Sequence, residues 1–218
     1  MPTYCITGAN RGLGLEFVRL IAQDSNNTII ATHRTNADVK DLKGVANAST
    51  HLFVCDTADP SSIASFTKEV SKTLNGGKVN YLINNAAVNS VPQQTCLTID
   101  GADLQKEIDI NVMGPANTTK ELLFNNNLAS DARIVNMTSG LGSMSKSLGI
   151  EPRKCATYSI SKAGVNMLTV HQSGELRQRL GKECIVICMD PGWVKTRMGG
   201  DDAILEPVSR CRVFSSRS

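Results

Sequence analysis

The chain has 218 residues, of which 41% are hydrophobic and 20% charged, a composition typical of one globular domain and unlike that of a disordered protein. Its net charge of +3 comes from Arg210, Arg212 and Arg217, because residues 1–206 carry equal numbers of basic and acidic groups. This balance excludes a broad basic surface, so neither nucleic acid nor a membrane is expected as a partner.

The seven cysteines do not form the pattern of a disulfide framework, and the absence of a C-x-x-C pair argues against a zinc site. The first residues have neither the basic segment nor the apolar run of a leader peptide, and no run approaches the roughly 20 apolar residues of a membrane helix. We therefore expect a cytoplasmic protein with reduced cysteines and without a bound metal.

Short apolar runs rich in β-branched residues alternate with amphipathic segments along the chain. The runs predict six strands, at residues 3–7, 28–32, 51–55, 81–84, 133–138 and 184–189. Their nearly continuous apolar character indicates burial on both faces. The amphipathic segments predict helices that include residues 13–23, 60–74 and 157–180. Asp59 is the expected N-cap of the second of these, with Pro60 at its first position. This order predicts an α/β fold, a doubly wound parallel sheet of the Rossmann type with about six strands and helices on both faces.

The first predicted strand leads into a glycine-rich turn, "TGANRGLG", at residues 7–14. Gly8, Gly12 and Gly14 stand between a strand and a helix, where glycine allows a tight turn and a close approach of the backbone to phosphates. The helix N-terminus adds free N–H groups and the positive end of its dipole. The turn therefore predicts a dinucleotide site, although its spacing differs from G-x-G-x-x-G and a purely structural turn is the alternative.

The end of the second predicted strand bears on the choice of nucleotide. The sequence "ATHRTN" has no acidic residue to accept a hydrogen bond from the ribose 2′-hydroxyl of NAD. Arg34 lies there and Arg11 lies in the glycine turn, and two guanidinium groups could bind a 2′-phosphate. The sequence thus favours NADP(H) over NAD(H), unless both arginines are only solvated surface charges. Asp56, at the end of the third strand, could accept a hydrogen bond from the adenine amino group or serve as a turn or cap residue.

Tyr158 and Lys162 in "YSISK" lie four residues apart on a predicted helix and therefore share one face. The ordinary pKa of tyrosine, about 10, is too high for efficient proton transfer near neutral pH, and a neighbouring ammonium group would lower it. The pair could thus take part in acid–base chemistry, although the same spacing occurs on exposed helix faces.

Four further motifs follow in the order found in the short-chain dehydrogenase/reductase family, which the chain resembles over about residues 3–200. They are "NNAA" (84–87), "INVMGP" (110–115), "IVNMTSGLGS" (134–143) and "DPGWVKTRMGG" (190–200). The phrases "NRGLG" and "PGWVKT" most resemble the sniffer-type, or C-factor-like, carbonyl reductases. The resemblance implies an enzyme that reduces a small ketone or aldehyde to an alcohol by hydride transfer from NADPH.

The resemblance also implies roles for individual residues. Tyr158 would be the general acid, Ser139 would hold the substrate oxygen, and Lys162 would lower the tyrosine pKa and hold the cofactor ribose. Asn111 would order a water molecule that connects the lysine to solvent. The predicted cofactor contacts, besides Tyr158 and Lys162, are Gly8, Asn10, Arg11, Gly12, Leu13, Gly14, Arg34, Asp56, Asn85, Ala86, Pro191, Gly192, Val194 and Thr196.

The resemblance ends after residue 200, where family members continue through further helices and a seventh strand. The segment 201–218 is short, and its last part is basic and serine-rich. We therefore expect a catalytic domain over residues 1–200 and a truncated, poorly ordered tail over 201–218, without the seventh strand. The elements that usually form a homodimer would also be missing. An alternative function stays open, that of a truncated NADP(H)-binding protein with weak or no catalytic activity.

Overall fold

The computed structural model describes residues 1–211 and builds them around one six-stranded parallel sheet. The strands are β1 (Thr3–Ile6), β2 (Thr28–His33), β3 (Thr50–Val54), β4 (Val79–Asn84), β5 (Leu128–Met137) and β6 (Ile185–Met189). Their order in the sheet is β3-β2-β1-β4-β5-β6, with every pair parallel. The predicted doubly wound sheet is confirmed, and the direction of the strand order reverses between β1 and β4, where such folds bind ligands.

Within residues 1–211, eight α-helices connect and cover the strands. They are α1 (Gly12–Ile21), α2 (Lys40–Val45), α3 (Pro60–Leu74), α4 (Gly101–Ile108), α5 (Gly114–Phe124), α6 (Met144–Ser147), α7 (Ala156–Leu180) and α8 (Pro207–Cys211). Helix α3 begins as predicted, because the Asp59 side chain accepts a hydrogen bond from the backbone N–H of Ser61 at 2.8 Å. A π-helical turn, Asp109–Met113, joins α4 to α5. In the part of the chain described here, no helix combines the length and apolar character needed to cross a membrane.

The buried apolar side chains of the described part of the chain form two core clusters, one on each face of the sheet. Consecutive strand residues belong to opposite clusters, as Leu82 and Ile83 do in β4. Cys5 and Ile6 of β1 divide in the same way, and all four residues are at most 2% exposed. This packing explains why the strand sequences are continuously apolar rather than alternating.

Buried amide side chains connect the central strands to helix α7. Asn84 donates to Asn136 Oδ1 at 2.8 Å, and Asn136 donates to Thr169 Oγ1 at 2.9 Å. These bonds link β4, β5 and α7 inside the structure, where an unpaired amide would cost roughly 1–3 kcal/mol. The catalytic helix expected from the sequence is therefore fixed against the sheet near the carboxyl ends of its strands.

The structure differs from the sequence expectation at the start of the predicted tail. Val194 and Leu205 form a parallel bridge, and Ala203 is 2% exposed. Cys211 is 1% exposed and lies in the core cluster of α1, with its Sγ 3.8 Å from the carbonyl oxygen of Leu13. These few apolar side chains are buried by contacts with distant elements, which their polar neighbours in sequence do not reveal. Residues 212–218 of the predicted tail lie outside the described residues.

Strand β6 lies at one edge of the sheet and is partly uncovered. Ile185 is 39% exposed and Ile187 is 45% exposed, although both belong to a strand predicted to be buried on both faces. Between residues 1 and 211 no seventh strand pairs with β6.

Packing of residue 211 can be tested by the reactivity of the thiols. We expect a small alkylating reagent to modify the exposed Cys96 and Cys188 quickly in the native protein and to leave Cys211 unmodified. Burial excludes the reagent and also raises the pKa of Cys211 to about 12, which suppresses the reactive thiolate. Mass spectrometry of the digested protein measures each site, and modification in urea serves as the control. Labelling of Cys211 as fast as Cys96 in the native protein would show that α8 is not packed.

Candidate active site

The glycine turn has the backbone geometry that its sequence predicts. Gly8 and Gly12 have φ angles of 65° and 56°, in the region that favours glycine. A Cβ atom on Gly14 would lie 2.3 Å from the carbonyl oxygen of Gly8 and 2.7 Å from Asn85 Nδ2, so only glycine fits there. Helix α1 begins within this turn, at Gly12, and no side chain of residues 1–211 caps its N-terminus. The first N–H groups of α1 are therefore available to an anion.

The residues that follow β4 hold this turn in place through hydrogen bonds. Asn85 donates through Nδ2 to the carbonyl oxygens of Thr7 and Gly8, at 2.9 and 3.1 Å. The Thr7 hydroxyl accepts the backbone N–H groups of Asn85 and Ala86. A Cβ on Gly8 would be only 3.0 Å from the Cα of Ala86. Asn85 and Ala86, predicted as cofactor contacts, thus also hold the turn in its shape.

Three arginines gather around the turn. Burial is the largest cause that lowers the pKa of Arg11, followed by the like charges of Arg197 and Arg34. The backbone explains this proximity, since a Cβ on Gly12 would lie 3.5 Å from a methyl carbon of Thr196. Such a concentration of positive charge suits an anionic ligand. Arg197 is absent from the predicted contacts, because its approach to the turn depends on the folding of a distant loop.

The other predicted contacts near the adenosine end are engaged with the protein itself. Asp56 accepts the backbone N–H of Ala58 at 3.0 Å, which is the turn role left open as an alternative to adenine binding. Asn10 donates to the carbonyl oxygen of Asp38 at 3.3 Å and so connects the turn to the segment after β2. Leu13 is partly buried in the first turn of α1.

The loop after β6 lies beside the glycine turn, where Thr196 approaches Gly12. Pro191 opens it, and Gly192 has a φ of 78° and donates its N–H to Asp190 Oδ1 at 2.9 Å. Val194 is 4% exposed, and the Thr196 hydroxyl accepts the N–H of Gly199 at 3.1 Å. These bonds give the loop a defined shape beside the glycine turn.

The four predicted catalytic residues come together at the carboxyl ends of β4 and β5. Lys162 is 2% exposed, donates to the carbonyl oxygen of Met137 at 2.7 Å and has its Nζ 5.5 Å from the centre of the Tyr158 ring. The Ser139 side chain is close enough to Tyr158 to lower the tyrosine pKa, against the other influences on it. Asn111, in the π-helical turn, donates to Ser161 Oγ at 2.9 Å, one residue before the lysine.

Burial moves the two pKa values of the tyrosine–lysine pair in opposite directions. The pKa of Tyr158 is raised well above 10, first by burial and then by the charges of Cys155, Glu107 and Asp190. The pKa of Lys162 is lowered to about 8, because burial outweighs the opposite influence of Glu107. Burial thus outweighs any lowering of the tyrosine pKa by the neighbouring lysine, and the role of Lys162 toward Tyr158 stays a prediction. The spacing of the two residues predicts that they lie close together. It does not predict the loss of water around them, which has the largest effect on both pKa values.

A search of known proteins finds similarity over nearly the whole described chain. A family model described as short chain dehydrogenase matches residues 2–203. Oxidoreductase UcpA of Escherichia coli K12 is 32% identical, with 90% of this chain and 70% of that protein covered. The NADPH-bound carbonyl reductase from chicken fatty liver is 28% identical, with a TM-score of 0.85 over 96% of this chain and 84% of its own. Carbonyl reductase Sniffer of D. melanogaster is 25% identical, with a TM-score of 0.85 over 97% and 88%.

The burial of Lys162 predicts a distinct dependence of stability on pH. Its pKa is about 8 in the folded protein and 10.5 in its ordinary state, so between these values the unfolded chain binds more protons. The free energy of unfolding of the wild type, relative to that of Lys162→Met, should therefore rise with pH across this window by about 3 kcal/mol. Below pH 8 the difference should be constant.

Urea unfolding of the wild type and of Lys162→Met at a series of pH values measures this difference. The buried cysteines titrate in both proteins, so their contribution cancels in the difference. Lys72→Met is the matched control, because the side chain of Lys72 is 72% exposed. A difference that does not change with pH would contradict the burial of a titrating ammonium group at position 162.

Proposed function

Because the chain belongs to the short-chain dehydrogenase family, we propose that it reduces a ketone or an aldehyde to an alcohol with NADPH as the reductant. The observation that carries this proposal is the convergence of Tyr158, Ser139 and the buried Lys162 at the carboxyl edge of the sheet, beside the glycine turn. The names of the two carbonyl reductases with the same fold support it.

The residues of the glycine turn, the loop after β6 and the start of α7 fit a nicotinamide dinucleotide. The glycine turn and the uncapped start of α1 would bind the pyrophosphate, and Val194 and Thr196 would lie against the nicotinamide end. Lys162 would hold the nicotinamide ribose. When bound, the cofactor supplies the hydride, and the protein supplies orientation, proton transfer and exclusion of water.

Proton transfer in the proposed reaction starts from Tyr158. Its hydroxyl is protonated at neutral pH, which is the state that a general acid requires, although a pKa raised above 10 makes its proton harder to transfer than that of an ordinary tyrosine. The Ser139 hydroxyl would donate to the substrate oxygen and stabilise the negative charge that develops there. Lys162, with a pKa of about 8, can release and regain a proton near neutral pH and so could restore the tyrosine proton. Asn111 would hold the water molecule that connects this lysine to solvent.

The preference for NADPH over NADH is proposed from the arginines at the adenosine end. The charge of Arg34 lowers the pKa of Arg11, so the two guanidinium groups lie near one another, and no acidic side chain follows β2 directly. A 2′-phosphate between these guanidinium groups would form charge-assisted hydrogen bonds, which NADH cannot form.

The chemistry is tested with Tyr158→Phe, which removes one hydroxyl group. We expect reduction of a small dicarbonyl compound to fall about a thousandfold, the contribution of a general acid, while NADPH binding changes little. The absorbance of reduced nicotinamide measures turnover, and its fluorescence measures binding. Tyr81→Phe, on β4 and stacked on Tyr4, is the control. Equal loss of binding and turnover would contradict the proposed role, and binding without turnover in the wild type would favour the alternative of an inactive NADP(H)-binding protein.

The cofactor preference is tested with Arg34→Ala. Loss of one guanidinium group should raise the Kd for NADPH by about tenfold or more and leave the Kd for NADH nearly unchanged. Arg179→Ala, at an exposed position near the end of α7, should leave both values unchanged. Titration calorimetry measures all four constants. An equal effect of Arg34→Ala on both cofactors would identify Arg34 as a surface charge.

A further inference from the structure

The turn that carries Ser139 lies between strand β5 and helix α7. It is a short 3-10 turn over Gly140–Gly142, and Ser139 directly precedes it. The Ser139 hydroxyl oxygen accepts the backbone N–H of Leu141 at 3.2 Å, which occupies an acceptor position of the hydroxyl group and not its proton. The place of this proton relative to Tyr158 therefore depends on how the turn is attached to α7.

The backbone of the turn lies directly against α7. A Cβ atom on Gly142 would lie 2.6 Å from the carbonyl carbon of Lys162 and 2.9 Å from the backbone nitrogen of Ala163, so only glycine fits at this position. This contact sets how closely the turn approaches the helix. It does not stop the turn from shifting along the helix surface, because van der Waals contact has no direction, whereas hydrogen bonds do.

Asn166 of α7 supplies hydrogen bonds on both sides of Ser139. The hydroxyl of Thr138, the preceding residue, donates to Asn166 Oδ1 at 2.6 Å, and its distance to the carbonyl oxygen of Lys162 is longer, 3.4 Å. Asn166 Nδ2 donates to the carbonyl oxygen of Gly142 at 3.1 Å. Because this carbonyl can only accept, the amide nitrogen must face it, and the amide oxygen faces Thr138. One side chain thus joins both ends of the turn to the helix.

The position of Asn166 in α7 is explained by these bonds and not by the helix itself. Asparagine is a poorer helix former than alanine, so local propensity does not favour it in the middle of α7. Asn166 lies four residues after Lys162 and eight after Tyr158, so one helix carries the proposed proton donor and the residue that holds the Ser139 turn. The sequence analysis missed Asn166 because an asparagine in a helical segment gives no local sign of the distant turn that it contacts.

We propose that Asn166 is a positioning residue, which sets the place of the Ser139 hydroxyl relative to Tyr158 by binding both ends of the turn. The inference rests on the proposed function for its catalytic consequence, because Ser139 is proposed to hold the substrate oxygen. Its structural content, the attachment of the turn to α7, is independent of turnover. The competing role is that of a solvated polar residue of the helix, whose removal would leave the turn unchanged.

Hydrogen exchange tests the attachment of the turn in the cofactor-free protein. Asn166→Ala removes both bonds and places a better helix former in α7. The backbone N–H of Gly142 donates to the carbonyl oxygen of Ser139 at 2.9 Å, inside the turn. We expect this amide proton to exchange with solvent at least about tenfold faster in Asn166→Ala, as measured by NMR, because the released turn opens more often.

Two controls show whether the effect belongs to the turn. The amide of Cys55, which is bonded to His33 on the other side of the sheet, is the internal reference and should keep its rate. Gln178→Ala removes an amide from an exposed position of the same helix and should leave the exchange of Gly142 unchanged. An unchanged rate for Gly142 in Asn166→Ala would overturn the proposal.

Thr138 provides a second pair of variants, which decides the matter if Asn166→Ala does not fold. Thr138→Val keeps the branched shape of the side chain and removes the hydroxyl that donates to Asn166. We expect Gly142 to exchange about fivefold faster in Thr138→Val and at the wild-type rate in Thr138→Ser, which keeps the hydroxyl group. Faster exchange in both variants, or in neither, would overturn the proposal.

Turnover tests the catalytic consequence. In Asn166→Ala we expect kcat for carbonyl reduction to fall about tenfold to a hundredfold, because a small shift of Ser139 misplaces the substrate oxygen, while the Kd for NADPH stays unchanged. An unchanged kcat, or a loss of NADPH binding in the same proportion, would overturn the positioning role. If the wild type shows no turnover, the proposed function fails, and the exchange of Gly142 still decides whether Asn166 holds the turn.

Discussion

The burial of the Lys162 ammonium group is the constraint on which the site depends. A cation that is 2% exposed has lost nearly all of its water, and this loss favours the neutral amine. The carbonyl oxygen of Met137 at 2.7 Å compensates in part, and the lowered pKa of Lys162 shows that the compensation is incomplete. The position of this group relative to β5 must therefore be held by the rest of the fold rather than by the ion itself.

The surrounding polar groups supply that support. Asn136 in β5 donates to Thr169 in α7, and Asn111 donates to Ser161, so two buried amides fix the helix on both sides of Lys162. Each bond is worth about 1 kcal/mol net, but leaving either amide unpaired would cost more, which makes the arrangement specific as well as stable. The π-helical turn that contains Asn111 interrupts an otherwise regular helix at this contact, as such turns often do at functional sites.

The sequence predicts most of the fold because its signals are local. Continuous apolar runs indicate buried strands, and Asp59 followed by Pro60 marks the start of α3. The residues it misses depend on contacts between distant segments. Glu107 looks like any polar residue of an amphipathic helix until the loop through Ser90 covers it. Cys211 likewise lies in a polar segment and becomes buried only against α1. The pKa of Tyr158 also depends on distant segments. The spacing of Tyr158 and Lys162 predicts that a lysine lies nearby, but it does not predict that the surrounding fold excludes water from the tyrosine.

The charges around Tyr158 and Lys162 also bear on the protonation state of the proposed site. Burial alone favours the neutral form of both groups, a protonated tyrosine with an uncharged lysine. A nearby negative charge raises the pKa of both groups, which favours a protonated tyrosine and a charged lysine. Glu107 raises both pKa values. Asp190, at the end of β6, acts on the tyrosine in the same sense. Acidic side chains thus bias the site toward its fully protonated state. Carbonyl reduction consumes a proton, so this protonated state is the one from which the proposed reaction would start.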